Sequence, residues 1–473
     1  MAFQPASLPV KGPGKDTPVG EKSRYATVYA ACPRPLCAVL SLTGLQCGGG
    51  WLSMRAFKII GKSLFFALTG IILVSALATA AHHLRSPKGQ APPLMPLNQI
   101  RVYGNRPAPF ALAAKSAELM AIHSGAVLYA YNEHEKMQPA SLAKMMTFYL
   151  TLEALRQKRI TLETEMPVSE RAWRLSLNDS VSRMFLQVGN KVSVHDLLYG
   201  LMVSSGNDAA VVLSEYLGGS QEAFTQQMND KARALGLTET HFTNPDGLPT
   251  PGEYTTAADM VKLGRALVET FPESVQYTSA KDFTFTTIGN NGRSVTISQR
   301  NFNTLLFYDS RVNGIKTGHV EEAGYHLVAS AHSDNLDLVS AVFGTSSMES
   351  RRVETDKLLE WAFQTFTTVK SDWHKAMPDK LRVYQGDLYE VPIAPEGGSS
   401  YFTVDQGLER RLKLVADLTD KPLVAPIPKG TTVGQLTVTI AGKPASSVPI
   451  VTLAAVNQGS WIHRTIDSLR MRL

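Results

Sequence analysis

Three closely spaced segments, VNGIKTG (312–318), YHLVASAH (325–332) and LDLVSAVFG (336–344), read as β-strands; Ser333-Asp334-Asn335 forms the turn between the last two. Three strands make an incomplete sheet, and the nearest matching pattern lies far upstream. There ELMAIH (118–123) and AVLYAY (126–131) flank Ser124-Gly125 as strand, turn, strand. A long helical middle separates the two groups. Leu142, Met145, Met146, Leu150, Leu152 and Leu155 are spaced for one buried helix face. HDLLYGLMV (195–203) and AAVVLSEYL (209–217) flank a short break, SSGND. QEAFTQQMNDKARALG and AADMVKLGRALVETF bracket the turn-rich TNPDGLPTPGEYT. DKLLEWAFQTF follows the last strand as a closing helix. The expectation is an α+β domain over residues 104–370: one antiparallel sheet covered by helices, with an all-helical insertion.

From about residue 379 the pattern changes to short alternating strands, LRVY, RRLKLVADL, GQLTVTI and PIVTLAAV, punctuated by Gly397-Gly398, Pro426, Gly430 and Gly442. A separate small all-β domain over 379–457 is expected. The last stretch, SWIHRTIDSLRMRL, spaces Ile462, Ile466, Leu469 and Leu473 by four, three and four, with Arg464, Arg470 and Arg472 beside them and Trp461 at the edge. A basic amphipathic helix over 459–473 is expected to lie in a membrane surface; the alternative is a helix docked on its own domain.

The formal charge of +6 does not imply an acidic partner once it is located. Residues 1–80 hold eight of the 47 Lys and Arg but two of the 41 Asp and Glu, which leaves 39 of each sign in the remainder. The body of the chain is neutral, so no nucleic-acid partner is expected. Arg55, Lys58 and Lys62 instead precede the apolar run SLFFALTGIILVSALA, and Ala76, Ala78 and Ala80 offer small-residue cleavage points. Residues 54–80 read as an export signal, short for a membrane span. Met54 stands where such a signal would begin, so residues 1–53 are expected to be an annotation extension. Cys32, Cys37 and Cys47 all lie upstream of it, and the processed chain is expected to carry no thiol or disulfide. Residues 81–103, rich in Pro and polar residues, read as a linker.

Chemistry concentrates at three points. Ser141 and Lys144, in PASLAKMMTFY, stand three apart where a helix would start, so they share a face. A helix N-terminus favours an anionic oxygen and disfavours an ammonium; a buried Lys144 could take the hydroxyl proton. Ser205-Gly206-Asn207 occupies the break between two helices, where it also reads as a turn with Asn207 or Asp208 capping the next helix. Lys316-Thr317-Gly318 lies inside a strand, and the glycine leaves one edge open to close approach by a peptide. No G-x-S-x-G elbow and no H-E-x-x-H occurs, which disfavours a Ser-His-Asp hydrolase and a metallopeptidase; no metal or cofactor is implied.

In this order, Ser141-Leu142-Ala143-Lys144, Ser205-Gly206-Asn207 and Lys316-Thr317-Gly318 resemble the motifs of the penicillin-interacting serine acyl enzymes. With S-G-N in the middle and His319 after KTG, the chain resembles the low-molecular-mass penicillin-binding proteins, the D-alanyl-D-alanine carboxypeptidases. The likeness extends through GSQEAFTQQMNDKARALGLTETHFTNPDGL, TGHVEEAGYHLVASA and KLLEWAF and covers about residues 104–473. It implies a β-lactamase/transpeptidase-like fold and removal of the terminal D-alanine from peptidoglycan stem peptides through an acyl-serine, inhibited by β-lactams. It assigns Ser141 as nucleophile, Lys144 as general base, and Ser205 with Lys316 to proton relay. Asn207 would bond the substrate amide, the N–H groups of Ser141 and His319 would hold the oxyanion, and Thr317 with Arg351 or the adjacent Arg352 would bind the terminal carboxylate. The implied location is the periplasmic face of the cytoplasmic membrane. Two other readings stand beside it. A class A β-lactamase would add a water-activating glutamate, where the segment after S-G-N offers Asp246; a non-catalytic peptidoglycan-binding scaffold would keep the fold without needing intact motifs.

Overall fold

The computed structural model describes residues 108–289, 292–398 and 400–471. The expected extension, export signal, linker and cysteines lie outside these residues.

The first domain is built on a five-stranded antiparallel sheet of β1 (Ser116–Ala121), β2 (Val127–Tyr131), β7 (Val312–Val320), β8 (Gly324–Ser333) and β9 (Leu336–Thr345), in the order β2-β1-β9-β8-β7. The first and last chain segments thus meet at the β1–β9 pair, as the patterning expects. β7 is left on the edge.

Between β2 and β7 run α1 (Lys144–Arg156), α2 (Glu170–Ser176), α3 (Val194–Met202), α4 (Asn207–Gly218), α5 (Gln221–Ala234), α6 (Ala257–Thr270) and the single turn α7 (Val275–Thr278). Side chains set their starts. Ser169, Ser193, Ser220 and Thr256 each accept a hydrogen bond from the backbone N–H three residues on, satisfying a donor that a helix start leaves free. Two antiparallel strand pairs are added to the expected helices: β3 (Glu165–Pro167) with β4 (Lys191–Ser193), which enclose α2, and the hairpin of β5 (Asp282–Ile288) with β6 (Ser294–Arg300).

The sheet buries both faces. Met120, Val328, Val339 and Phe343 join the core of the helical region, whereas Leu119, Leu327, Leu338 and Val342 pack with α8 (Met348–Thr365). That alternation is the period-two pattern of a strand covered on both sides. α1 differs from its expected single buried face. From Lys144 to Leu152 every side chain is buried, because α1 runs through the middle of the helical region and not along its surface.

α8 begins eight residues before the expected DKLLEWAFQTF, at Met348, where Ser347 caps it through the N–H of Ser350. The end of α8 leads into β10 (Phe366–Lys370). The second domain follows with β11 (Lys380–Tyr384), β12 (Glu390–Pro395), β13 (Tyr401–Asp405), β14 (Leu412–Leu418), β15 (Leu423–Val424), β16 (Thr432–Ile440) and β17 (Lys443–Thr452). Six of these strands form a sheet in the order β14-β16-β17-β12-β11-β15, while β13 pairs with β10. A core of Val391, Ile393, Leu436, Val438 and Ile450 fills this domain, which ends in α9 (Trp461–Arg470).

Candidate active site

Ser141 does not open α1 directly. It sits in a tight 3-10 turn, Ala140–Ala143, that feeds the helix, and Ala140 before it takes a left-handed conformation with φ 50°. Side chains three apart nearly eclipse in such a turn. The Lys144 amine consequently lies 3.0 Å from the Ser141 hydroxyl. The turn is clamped from outside by Gly247, at φ 76°; a Cβ there would lie 1.8 Å from the Ala140 carbonyl oxygen, so no other residue fits.

Lys144 is fully buried because α1 is. Its amine donates to Ser141 Oγ, to Asn207 Oδ1 at 2.5 Å and to the backbone carbonyl of Asp246. Burial brings its pKa down to about 8, with Asp246, Asp208 and Glu253 pulling the other way. A substantial neutral fraction therefore exists near neutral pH, as a base requires.

The S-G-N break is strained. Ser205 has φ 55°, and its hydroxyl accepts from the Lys316 amine at 2.9 Å. Asn207 is not a helix cap: α4 has no side-chain cap, and Asn207 turns its carboxamide oxygen to Lys144. Lys316 is also fully buried and donates to its own neighbour's carbonyl, Thr317 O, at 2.9 Å. Burial drives its pKa well below that of an ordinary lysine, and the Lys144 and Arg351 charges add to the effect.

These groups face a cleft of about 630 Å³ whose lining includes Ser141, Ser205, Asn207, Thr317, Gly318, His319 and Arg351. The three motifs converge. Gly318 is needed for a different reason from the expected one: a Cβ there would come within 3.0 Å of Pro139 O and 3.3 Å of the Ala140 Cβ. What fills the open space on the strand is the nucleophile turn itself. The ring of His319 is exposed and stacks on Tyr325, with centroids 3.9 Å apart.

The two arginines separate. Arg351 is buried, lines the cleft and is anchored by Phe302 O at 3.0 Å and His326 O at 3.4 Å; burial lowers its pKa to about 10, which leaves it charged at neutral pH. Arg352 points away to Glu349 at 2.6 Å and lies over the Tyr308 ring.

Sequence patterning alone gives no sign of two supports. His326 is fully buried, accepts from the Gly344 N–H and reaches Gln138 O at 3.2 Å, tying β8 to the segment before the nucleophile. Burial takes its pKa down to about 4, so the ring is neutral. Asp208, beside Asn207, holds a loop on the cleft rim. Asp246, the acidic residue where a water-activating glutamate would be sought, is buried and is not among the cleft-lining residues. Asp246 accepts from the Leu248 N–H, and Glu253 is buried and is not among the cleft-lining residues.

A serine activated by a buried lysine, a second serine–lysine pair opposite it and an edge strand along the cleft define the class of penicillin-interacting serine acyl-transfer enzymes. A family model described as D-alanyl-D-alanine carboxypeptidase, Peptidase S11, matches residues 103–347, and one described as penicillin-binding protein 5, C-terminal domain, matches residues 363–458. The D-alanyl-D-alanine carboxypeptidase DacC of Escherichia coli (strain K12) is 39% identical over 364 residues, spanning 76% of this chain and 88% of that protein. DacA of Haemophilus influenzae is 36% identical over 368 residues, 76% of this chain and 91% of that protein. The crystal structure of penicillin binding protein 5 from Haemophilus influenzae superposes with a TM-score of 0.65 at 37% identity, covering 74% of this chain and 99% of that one. The chain belongs to the D-alanyl-D-alanine carboxypeptidase family, the low-molecular-mass penicillin-binding proteins, and is a serine peptidase. The β-lactamase and scaffold readings are not favoured.

Proposed function

We propose that this chain is an exported, membrane-associated D,D-carboxypeptidase that removes the terminal D-alanine from peptidoglycan stem peptides. The observation that carries the mechanism is the buried Lys144 amine, 3.0 Å from the Ser141 hydroxyl. Neutral Lys144 takes the hydroxyl proton as Ser141 Oγ bonds to the carbonyl carbon of the penultimate D-alanine. The oxyanion is held by the N–H groups of Ser141 and His319. Ser205, bonded to Lys316, hands a proton to the departing nitrogen, is reprotonated from the lysine pair, and D-alanine leaves as the C–N bond breaks. Water then attacks the ester as Lys144 takes its proton, and Lys144 passes that proton to Ser141 Oγ as the acyl C–O bond breaks, which restores the hydroxyl.

Asn207 uses its oxygen on Lys144, which frees its Nδ2 to donate to the substrate amide. Thr317 and the charged Arg351 bind the terminal carboxylate, the reason a free C-terminus is required. The free edge of β7 suits a peptide laid alongside it as an added strand. A β-lactam enters the same course, its ring opened by Ser141 Oγ to leave a penicilloyl ester.

Export is supported by the basic and apolar pattern of residues 54–80. Among the described residues no helix is long and apolar enough to cross a membrane. Surface attachment through α9 is supported by the way that helix is held. Its polar side docks on the second domain, with Asp467 Oδ2 accepting from the Gln385 N–H at 2.7 Å and His463 meeting the Tyr389 hydroxyl at 3.0 Å. Its apolar side is turned outward, with Trp461 69% and Leu469 61% exposed beside Ile462 and Ile466. Arg464 and Arg470 then meet anionic headgroups at the periplasmic face of the cytoplasmic membrane. Docking on its own domain and facing a membrane are compatible here.

D-alanine release from a synthetic pentapeptide tests the reading. Wild type is expected to release one equivalent per peptide and Ser141→Ala none. Equal release by both would overturn it.

A further inference from the structure

The segment between α2 and β4 forms one wall of the cleft, through Ser180, Val181 and Ser182, and contributes none of the three motifs. Its attachment converges on one carboxylate. Asp208 is fully buried and accepts from the Met184 N–H at 2.8 Å, the Leu186 N–H at 3.1 Å, the Ser176 hydroxyl at 2.6 Å and its own neighbour's N–H, that of Ala209, at 2.9 Å. Beside it, the Asn207 N–H donates to Ser182 O at 2.9 Å. The packing leaves no slack: a Cβ at Gly206 would lie 2.9 Å from Asp208 Oδ1 and 3.3 Å from the Met184 Cβ. From the opposite side, Gln299 of β6 donates its side-chain amide to Arg183 O at 2.8 Å.

We propose that Asp208 is a positioning residue that sets the distance between the 180–182 wall and Asn207, and through it how tightly the cleft grips the acyl part of the stem peptide. A buried carboxylate that accepts several N–H and O–H donors holds a loop more firmly than a neutral acceptor does. Asparagine at 208 would keep the shape but turn an NH2 group toward donors. The Met184 N–H reaches both oxygens, at 2.8 and 3.0 Å, and would keep one acceptor; an NH2 group at the Oδ2 position would face the Leu186 N–H and one at the Oδ1 position the Ala209 N–H, so one of those bonds is lost.

The proposal rests on Ser141 being the nucleophile, and the experiment separates the two. Wild type, Asp208→Asn and Gln299→Ala are each labelled with fluorescent penicillin and assayed on pentapeptide, with acylation followed against pH. Labelling of wild type at Ser141 secures the underlying reading; its absence defeats that reading and not the wall. Asp208→Asn is expected to raise KM on the order of tenfold with a smaller change in kcat. It should also move the rise of acylation to lower pH, since the charged groups facing Lys144 are Asp208, Asp246, Glu253 and Lys316 and one anion among them is gone. Gln299→Ala loosens the same wall and leaves that charge in place, so KM should rise while the pH dependence stays. A folded Asp208→Asn protein with KM within twofold of wild type overturns the proposal. If Asp208→Asn does not fold, an unchanged KM in Gln299→Ala overturns it and a raised one supports it.

Discussion

The amine of Lys316 lies 2.9 Å from the hydroxyl of Ser205, 111 positions earlier in the chain, and this bond spans the cleft between the sheet and the helical region. It keeps Ser205 in hydrogen-bonded reach of a lysine that burial makes a weak cation-former. Ser205→Ala is expected to lower kcat for D-alanine release on the order of a hundredfold with little effect on KM, since proton delivery to the leaving nitrogen is lost and binding is not. Steady-state kinetics on pentapeptide measure both.

Acylation needs Lys144 neutral, and its pKa of about 8 fixes the sign of the pH dependence. The rate of penicillin acylation should climb as pH rises through about 8 and fall below it, well before an ordinary lysine would titrate. Glu253, whose pKa burial raises to about 8, is neutral at lower pH and becomes an anion facing Lys144 over the same range. Glu253→Gln removes that anion, so the climb should move to lower pH; stopped-flow acylation between pH 6 and 10 tests it.

Arg351 and Arg352 should behave as opposites. Removing the buried cation in Arg351→Ala is expected to raise KM roughly ten- to a hundredfold, the size of a charge-assisted hydrogen bond. A peptide amidated at its C-terminus should lose this discrimination. Arg352→Ala breaks an exposed pair with Glu349 and should leave KM unchanged.

Gly247→Ala combines a left-handed φ with a Cβ inside the Ala140 carbonyl. Displacing the nucleophile turn should abolish acylation and lower the melting temperature together, measured by penicillin labelling and thermal unfolding.

On α9, Ile466→Glu with Leu469→Glu should release the chain from anionic vesicles in a flotation assay, because burying either charge opposes insertion. Asp467→Ala keeps the apolar side but loses the hydrogen bond to the Gln385 N–H. It should still float, with Trp461 emission reporting a less ordered helix before lipid is added.

How much of this was legible beforehand follows from the distances over which each feature acts. Ser141 with Lys144, Ser205 with Asn207 and Lys316 with Gly318 are local patterns, and local patterns survive in a sequence. The sheet was legible for the same reason, as the strands at 312–344 and 118–131 are short runs rich in apolar residues bounded by turn residues. Asp208 and His326 were not, because their partners lie 22 to 32 and 18 to 188 positions away and no spacing rule links them. Arg351 and Arg352 differ by about 100° around a helix, and only packing decides which one turns inward. The start of α8 was hidden because its first turns, MESRRVET, are largely polar and lack an apolar period. α1 ran against expectation because Thr147 and Thr151, which read as a polar side, are buried with their hydroxyls bonded to Pro245 O and Thr147 O, and burial is also what lowers the Lys144 pKa.

The most direct measurement is intact-mass and peptide-mapping mass spectrometry of the chain after brief exposure to penicillin. A single penicilloyl ester on Ser141, absent from Ser141→Ala and formed far more slowly in Lys144→Ala, is the predicted result. An adduct on another side chain, or one that persists when Ser141 is replaced, would contradict the account.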